Sequence, residues 1–130
     1  MISKRSAKSF SDERLKPELQ IREDVMNKEI FFQIKKVAGR LKKDYNAEQV
    51  ILFGSYARGE EGMDSDIDLL ITAPTKERFF QRMTEVRCLI RDLRHGIPFA
   101  PIVLTPEELE RRLAIGDQFI KEILDNGVRL

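Results

Sequence analysis

The chain has 130 residues, 42% hydrophobic and 35% charged, with a net charge of +1. This is the composition of one globular domain able to bury a core, and it leaves no global basic field to argue for nucleic-acid binding. No apolar run approaches the roughly 18 residues of a membrane span, and the basic N-terminus (Lys4, Arg5, Lys8) lacks the apolar stretch of a secretory signal.

Residues 1–15 are Ser- and charge-rich with few apolar anchors, which predicts a flexible segment ahead of a single domain over 16–130. Pro17 suits a first helical turn. From there Met26, Ile30, Ile34, Val37, Leu41 and Tyr45 recur at spacings of three and four, predicting an amphipathic helix. Lys35, Lys36, Arg40, Lys42 and Lys43 form its other face, read as solvated surface ahead of a nucleic-acid patch. Asn46-Ala47 turns into Val50-Ile51-Leu52-Phe53, a buried strand. That strand ends at Gly54, where a backbone without Cβ turns sharply and lets a ligand approach. Ser55 caps a short helix through Arg58, whose first N–H groups lack helical acceptors and favour an anion.

A second strand, Asp66-Ile67-Asp68-Leu69-Leu70-Ile71, is separated from Ser55 by ten residues. Its period of two puts Asp66 and Asp68 on one face and Ile67, Leu69 and Ile71 in the core. Two adjacent carboxylates repel each other and cost desolvation, and a divalent cation between them relieves both. Ala73-Pro74 ends the strand, and Thr75 opens a helix to Leu93 with Phe79, Met83, Val86, Ile90 and Leu93 inward. Cys88 has no second cysteine to pair with and reads as a structural thiol, which fits a reducing cytoplasm. His95 beside Gly96 suits a helix C-terminus. Phe99 to Leu104 is a third strand, which Pro98 and Pro101 confine to an edge or delay in its start. Thr105-Pro106-Glu107-Glu108 is a capping box. A short helix follows, then another from Asp117 to Asn126 with Phe119, Ile120, Ile123 and Leu124 buried, ended by Gly127.

Gly54-Ser55-Tyr56-Ala57-Arg58-Gly59-Glu60, the ten residues that separate Ser55 from Asp66, and the Asp66-x-Asp68 pair resemble the signature of the DNA polymerase β-like nucleotidyltransferases. The wording and compact length are most similar to the minimal nucleotidyltransferases, antitoxin-like partners of HEPN-domain proteins. The resemblance covers Val50 to Val103 and implies an α+β (α/β two-layer) fold, a small mixed sheet with helices packed on one face. It further implies Asp66 and Asp68 as catalytic metal ligands for Mg²⁺. Gly54, Ser55 and Arg58 would hold ATP phosphates, although Arg58 can equally pair with Glu60 or Glu61. Tyr56 reads as packing. In the family a third acid completes the site from a neighbouring strand. Here that position falls at Ala100 or Pro101, neither of which binds metal or takes a proton; Asp64 or Glu61 would be substitutes from the loop.

Transfer of AMP from ATP to a hydroxyl on a HEPN-type partner is therefore one expectation. A catalytically degenerate protein-binding antitoxin is its alternative, and nucleic-acid binding through the basic helix is the weakest. An exposed sheet edge would also permit a homodimer.

Overall fold

The computed structural model describes residues 28–59 and 66–130. The expected flexible residues 1–15, the helix start at Pro17, Met26, and the loop acids Glu61 and Asp64 lie outside these. Helix α1 (Lys28–Asp44) buries Phe31, Ile34, Val37, Ala38 and Leu41, with Ile30 and Tyr45 partly covered. It leads to β1 (Gln49–Phe53), the short α2 (Ser55–Arg58) and β2 (Ile67–Thr72). Then come α3 (Phe79–Leu89), one turn of α4 (Arg91–Arg94), β3 (Phe99–Leu104), α5 (Pro106–Ala114), α6 (Gln118–Asn126) and β4 (Val128–Arg129). Among the described residues, no helix is long and apolar enough to cross a membrane.

The strands form one mixed sheet in the order β3-β2-β1-β4. β1 and β2 are antiparallel, from Gln49 opposite Thr72 to Phe53 opposite Asp68. β3 runs parallel to β2, with Ile67 beside Phe99 and Thr72 beside Leu104. β4, which the sequence pattern did not suggest, adds Val128 and Arg129 to the far side of β1. The edge position of β3 is the one its prolines require. The carbonyls of Pro98 and Leu104 accept from Ile67 and Ala73, so even-numbered residues face β2 and the nitrogen of Pro101 points away from the ladder.

The mixed α+β sheet is the expected one, but helices cover both faces. On one face Val50, Leu52, Ile67, Leu69, Ile71 and Val103 pack against α1, Val86 and Ile90. On the other, Ile51, Leu70 and Leu104 pack against Leu109 of α5 and Ile120 and Ile123 of α6. The sign of this was the unbroken apolar run in each central strand, Val50-Ile51-Leu52 and Leu69-Leu70-Ile71, which a strand needs when both faces are buried. Each such fully buried side chain contributes roughly 1.5–3 kcal/mol.

The expected helix from Thr75 to Leu93 is shorter and divided. Thr75 Oγ1 accepts from the Glu77 N–H at 3.1 Å and holds a turn, and the helix begins at Phe79. Ile90 interrupts it before α4, which ends on left-handed His95. Phe79, expected inward, is 39% exposed, and Arg82 joins Val86 as a buried residue of α3. Its guanidinium donates to both Glu108 carboxylate oxygens (2.7 and 3.0 Å) and to the carbonyls of Glu77 and Val103. Glu108 also accepts from the Thr105 N–H within the α5 capping box. The bond from Arg82 holds its carboxyl down at about 2.

Candidate active site

Three chain segments meet at one end of the sheet: the C-terminal end of β1, and the N-terminal ends of the parallel strands β2 and β3. Phe53 closes β1 opposite Asp68, and Gly54 then turns the backbone with φ 79° and ψ −157°. That conformation is close to glycine-only. Space imposes the same choice. A Cβ on Gly54 would overlap Asp68 Oδ2 and lie 3.1 Å from Asp68 Cγ. The Gly-Ser turn and the Asp68 carboxylate are therefore in direct contact across the two strands.

After the turn, Tyr56 and Ala57 are buried and anchor α2, and left-handed Gly59 ends it, its N–H returning to the carbonyls of Ser55 and Tyr56. Tyr56 is packing, as expected. Ser55, expected to cap α2, is instead its first residue, with Gly54 at the cap position and no side-chain cap bond; it is half-buried, and Arg58 is exposed. Asp66 lies just before β2 rather than within it, and is exposed; Asp68 is half-buried inside the strand. Burial pushes the Asp68 carboxyl above the usual range, the charge of Asp66 pushes the same way, and Arg58 opposes both. The structure thus brings Gly54, Ser55, Arg58, Asp66 and Asp68 to one place.

The β2–β3 register sharpens the question of a third acid. Asp68 lies directly beside Ala100, while Pro101 lies beside Leu69, a residue of the opposite face. Ala100 is therefore the neighbour on Asp68's side, and it carries a methyl group. Glu108 offers no replacement. It follows the far end of β3, roughly 13 Å along the strand from Ala100, and is bonded to Arg82. Among the described residues no cluster of three or more His, Cys, Asp or Glu side chains could hold a metal. Two carboxylates, one with raised affinity for a proton and hence for a compensating cation, beside a glycine that leaves room, fit Mg²⁺, which keeps waters and takes few protein ligands.

One wall of this region came from α6 and was missed by sequence reasoning. A cavity of about 220 Å³ lies between Gly54 and Ala57 on one side and Phe119, Glu122, Ile123 and Asn126 on the other. Phe119, expected to be buried, is 53% exposed, and Leu124 is only half-buried. The signal was available in the spacing: residues 119, 122 and 126 share a helical face next to the apolar pair Ile120 and Ile123.

Residues 34–130 match the family model for the nucleotidyltransferase domain. Two proteins of Methanocaldococcus jannaschii, each named "Putative protein adenylyltransferase", are similar to this chain. One is 31% identical over 103 residues, covering 78% of this chain and 96% of the relative. The other is 32% identical over 96 residues, covering 72% and 90%.

Proposed function

The chain belongs to the nucleotidyltransferase-domain family, and from that premise we propose that it transfers AMP from Mg²⁺-ATP to a hydroxyl group of a partner protein in the cytoplasm. The observation that carries this reading is the seating of Asp68 against Gly54 of the Gly-Ser turn, with Asp66 next to it. A bound Mg²⁺ would be held by Asp66 and Asp68, and would neutralise phosphate charge as the α-phosphorus reacts. The backbone N–H groups at Ser55 and beyond, together with Arg58, would hold the terminal phosphates. The acceptor oxygen forms a bond to the α-phosphorus, the bond to the β-phosphate oxygen breaks, and pyrophosphate leaves. The acceptor's proton has to go to a base, and Ala100 cannot take it.

The protein acceptor is supported by the names of the similar archaeal proteins, and a HEPN-domain toxin, with this chain as its antitoxin, by the resemblance of the Gly-Ser-Tyr-Ala-Arg-Gly-Glu segment. A second reading has its own observation: the methyl of Ala100 beside Asp68 favours a member that binds its partner without modifying it. Titration calorimetry with ATP, with and without Mg²⁺, on wild type and Asp66→Asn tests the shared part. Mg²⁺-dependent binding that disappears in the variant supports the site. No binding under any metal condition refutes the enzyme reading. Transfer of label from the α-phosphate to a co-expressed partner then separates modification from mere covering.

A further inference from the structure

We infer that the cavity between α2 and α6 is the nucleobase subsite of the donor nucleotide, seating adenine flat against Phe119; this rests on the nucleotidyltransferase reading above. Position comes first. Gly54 lines the cavity on one side and meets the Asp68 carboxylate on the other. A nucleotide whose phosphates lie at the Gly-Ser turn has its base within reach of this space.

Chemistry then decides which part of the nucleotide enters. Phe53, Ala57, Phe119 and Ile123 are apolar walls, Glu122 adds a carboxylate, and Arg58, assigned above to the phosphates, borders the same cavity. Away from Arg58, phosphate groups would be dehydrated against the apolar walls and repelled by Glu122. An uncharged aromatic ring suits both. The volume of about 220 Å³ is below that of pockets for drug-sized ligands, which begin at roughly 300 Å³, and suits a single heterocycle.

The side chains are also prepared for a flat ligand. Phe119 is 53% exposed although it sits next to fully buried Ile120. It is steadied edge-to-face by Phe53 at 5.8 Å and 84°, a T-shaped contact that leaves ring face open for stacking. Glu122 is oriented by the Asn126 side-chain amide, which donates to its Oε2 at 3.2 Å. A carboxylate has several acceptor sites, and the remaining ones would receive the exocyclic amino group of adenine. A purine without that group would lose this bond.

The test compares binding of ATP, purine riboside triphosphate and inorganic tripolyphosphate to the full chain in Mg²⁺. Wild type should bind ATP more tightly than purine riboside triphosphate, and tripolyphosphate least. Phe119→Ala should weaken ATP by roughly tenfold or more while leaving tripolyphosphate unchanged, and Phe119→Trp should restore ATP binding. Glu122→Ala should abolish the preference for ATP over purine riboside triphosphate. Unchanged tripolyphosphate binding also reports that each variant is folded. If Phe119→Ala binds ATP like wild type, or wild type does not distinguish ATP from tripolyphosphate, the subsite is refuted while the phosphate site stands. If wild type binds no triphosphate at all, the nucleotidyltransferase reading fails and takes this inference with it.

Discussion

Substituting Gly54 by alanine attacks the point where fold and site are the same atoms. Two costs can be worked separately. The backbone at φ 79° and ψ −157° lies in a region that non-glycine residues occupy at about 1–3 kcal/mol. The new Cβ would also overlap Asp68 Oδ2 and crowd its Cγ and Cβ at 3.1 and 3.3 Å, forcing the carboxylate out of place at about 1–2 kcal/mol. Together these remove about 2–5 kcal/mol, a large part of the roughly 5–15 kcal/mol that stabilises a domain. Urea unfolding of Gly54→Ala, Asp68→Ala and the double variant separates the costs. Asp68→Ala removes the carboxylate and keeps its Cβ, so in that background Gly54→Ala should cost about 1–2 kcal/mol less while the backbone part persists. A cost below about 0.5 kcal/mol in wild type would refute the backbone argument. An equal cost in both backgrounds would refute the claim that Gly54 makes room for Asp68.

Three other perturbations have directions set by charge. Asp68 is held above its usual range, so its ionised form penalises folding; the penalty is absent at acid pH and grows as pH rises through the folded value. Asp68→Asn should therefore be more stable than wild type at pH 7, lose that advantage on acidification, and no longer gain stability from Mg²⁺ with ATP in a thermal melt. Glu108 behaves oppositely: its carboxyl drops from 4.5 to about 2, so its contribution is full above pH 4.5 and fades as pH falls towards 2. Credited in full the shift is worth about 3 kcal/mol, but with its side chain 32% exposed about 1–2 kcal/mol is the expected loss for Glu108→Gln in urea at pH 7. That loss should shrink when the same unfolding is run at pH 3; a loss independent of pH would contradict the ion-pair origin. Ala100→Asp would place a third carboxylate beside Asp68. It should lower the melting temperature without metal, recover it with Mg²⁺, and raise α-phosphate transfer if the missing base limits the reaction; a melt insensitive to Mg²⁺ would argue against a metal site.

The parts of this fold legible from sequence are those where local chemistry and tertiary packing ask for the same residue. The capping box at Thr105 and Glu108, the edge strand marked by Pro98 and Pro101, and the Gly54 turn all satisfy a short-range rule that the structure also needs. Arg82 shows the opposite case. An arginine in the inward register of a helix reads as a break in the stripe, and it is satisfied by the carbonyls of Glu77 and Val103 together with the Glu108 carboxylate, 26 residues later. β4 was illegible because two residues carry no period; Gly127 at the end of α6 places them, its missing side chain allowing close approach to Ile51 and the Leu52 carbonyl. The site divides in the same way. Asp66, Asp68 and the Gly-Ser turn are near in sequence, whereas Phe119 reaches them only because α6 folds onto the second face of the sheet.

That second face also bears on how the site keeps its geometry. Asp68 is the one residue of β2 not buried; its neighbours Ile67, Leu69, Leu70, Ile71 and Thr72 all are. A half-buried carboxylate next to another acid lowers stability locally, and its contact with Gly54 would not hold it in place alone. Helices packed on both sides of β1 and β2 over-determine the strand positions, so the carboxylate cannot relax outward without disturbing two cores. The same rigidity makes Ala100 informative. Its Cα is fixed beside Asp68 by a six-residue parallel register, so no sliding of β3 brings another side chain to that place: a one-residue slip would turn Pro101 towards the site and every core residue of the strand to the wrong face. The described part of β3 therefore offers no base beside Asp68; on the transferase reading the base would come from the loop acids Glu61 or Asp64 or arrive with the acceptor, and comparing transfer to a small alcohol with transfer to a partner protein distinguishes the two sources.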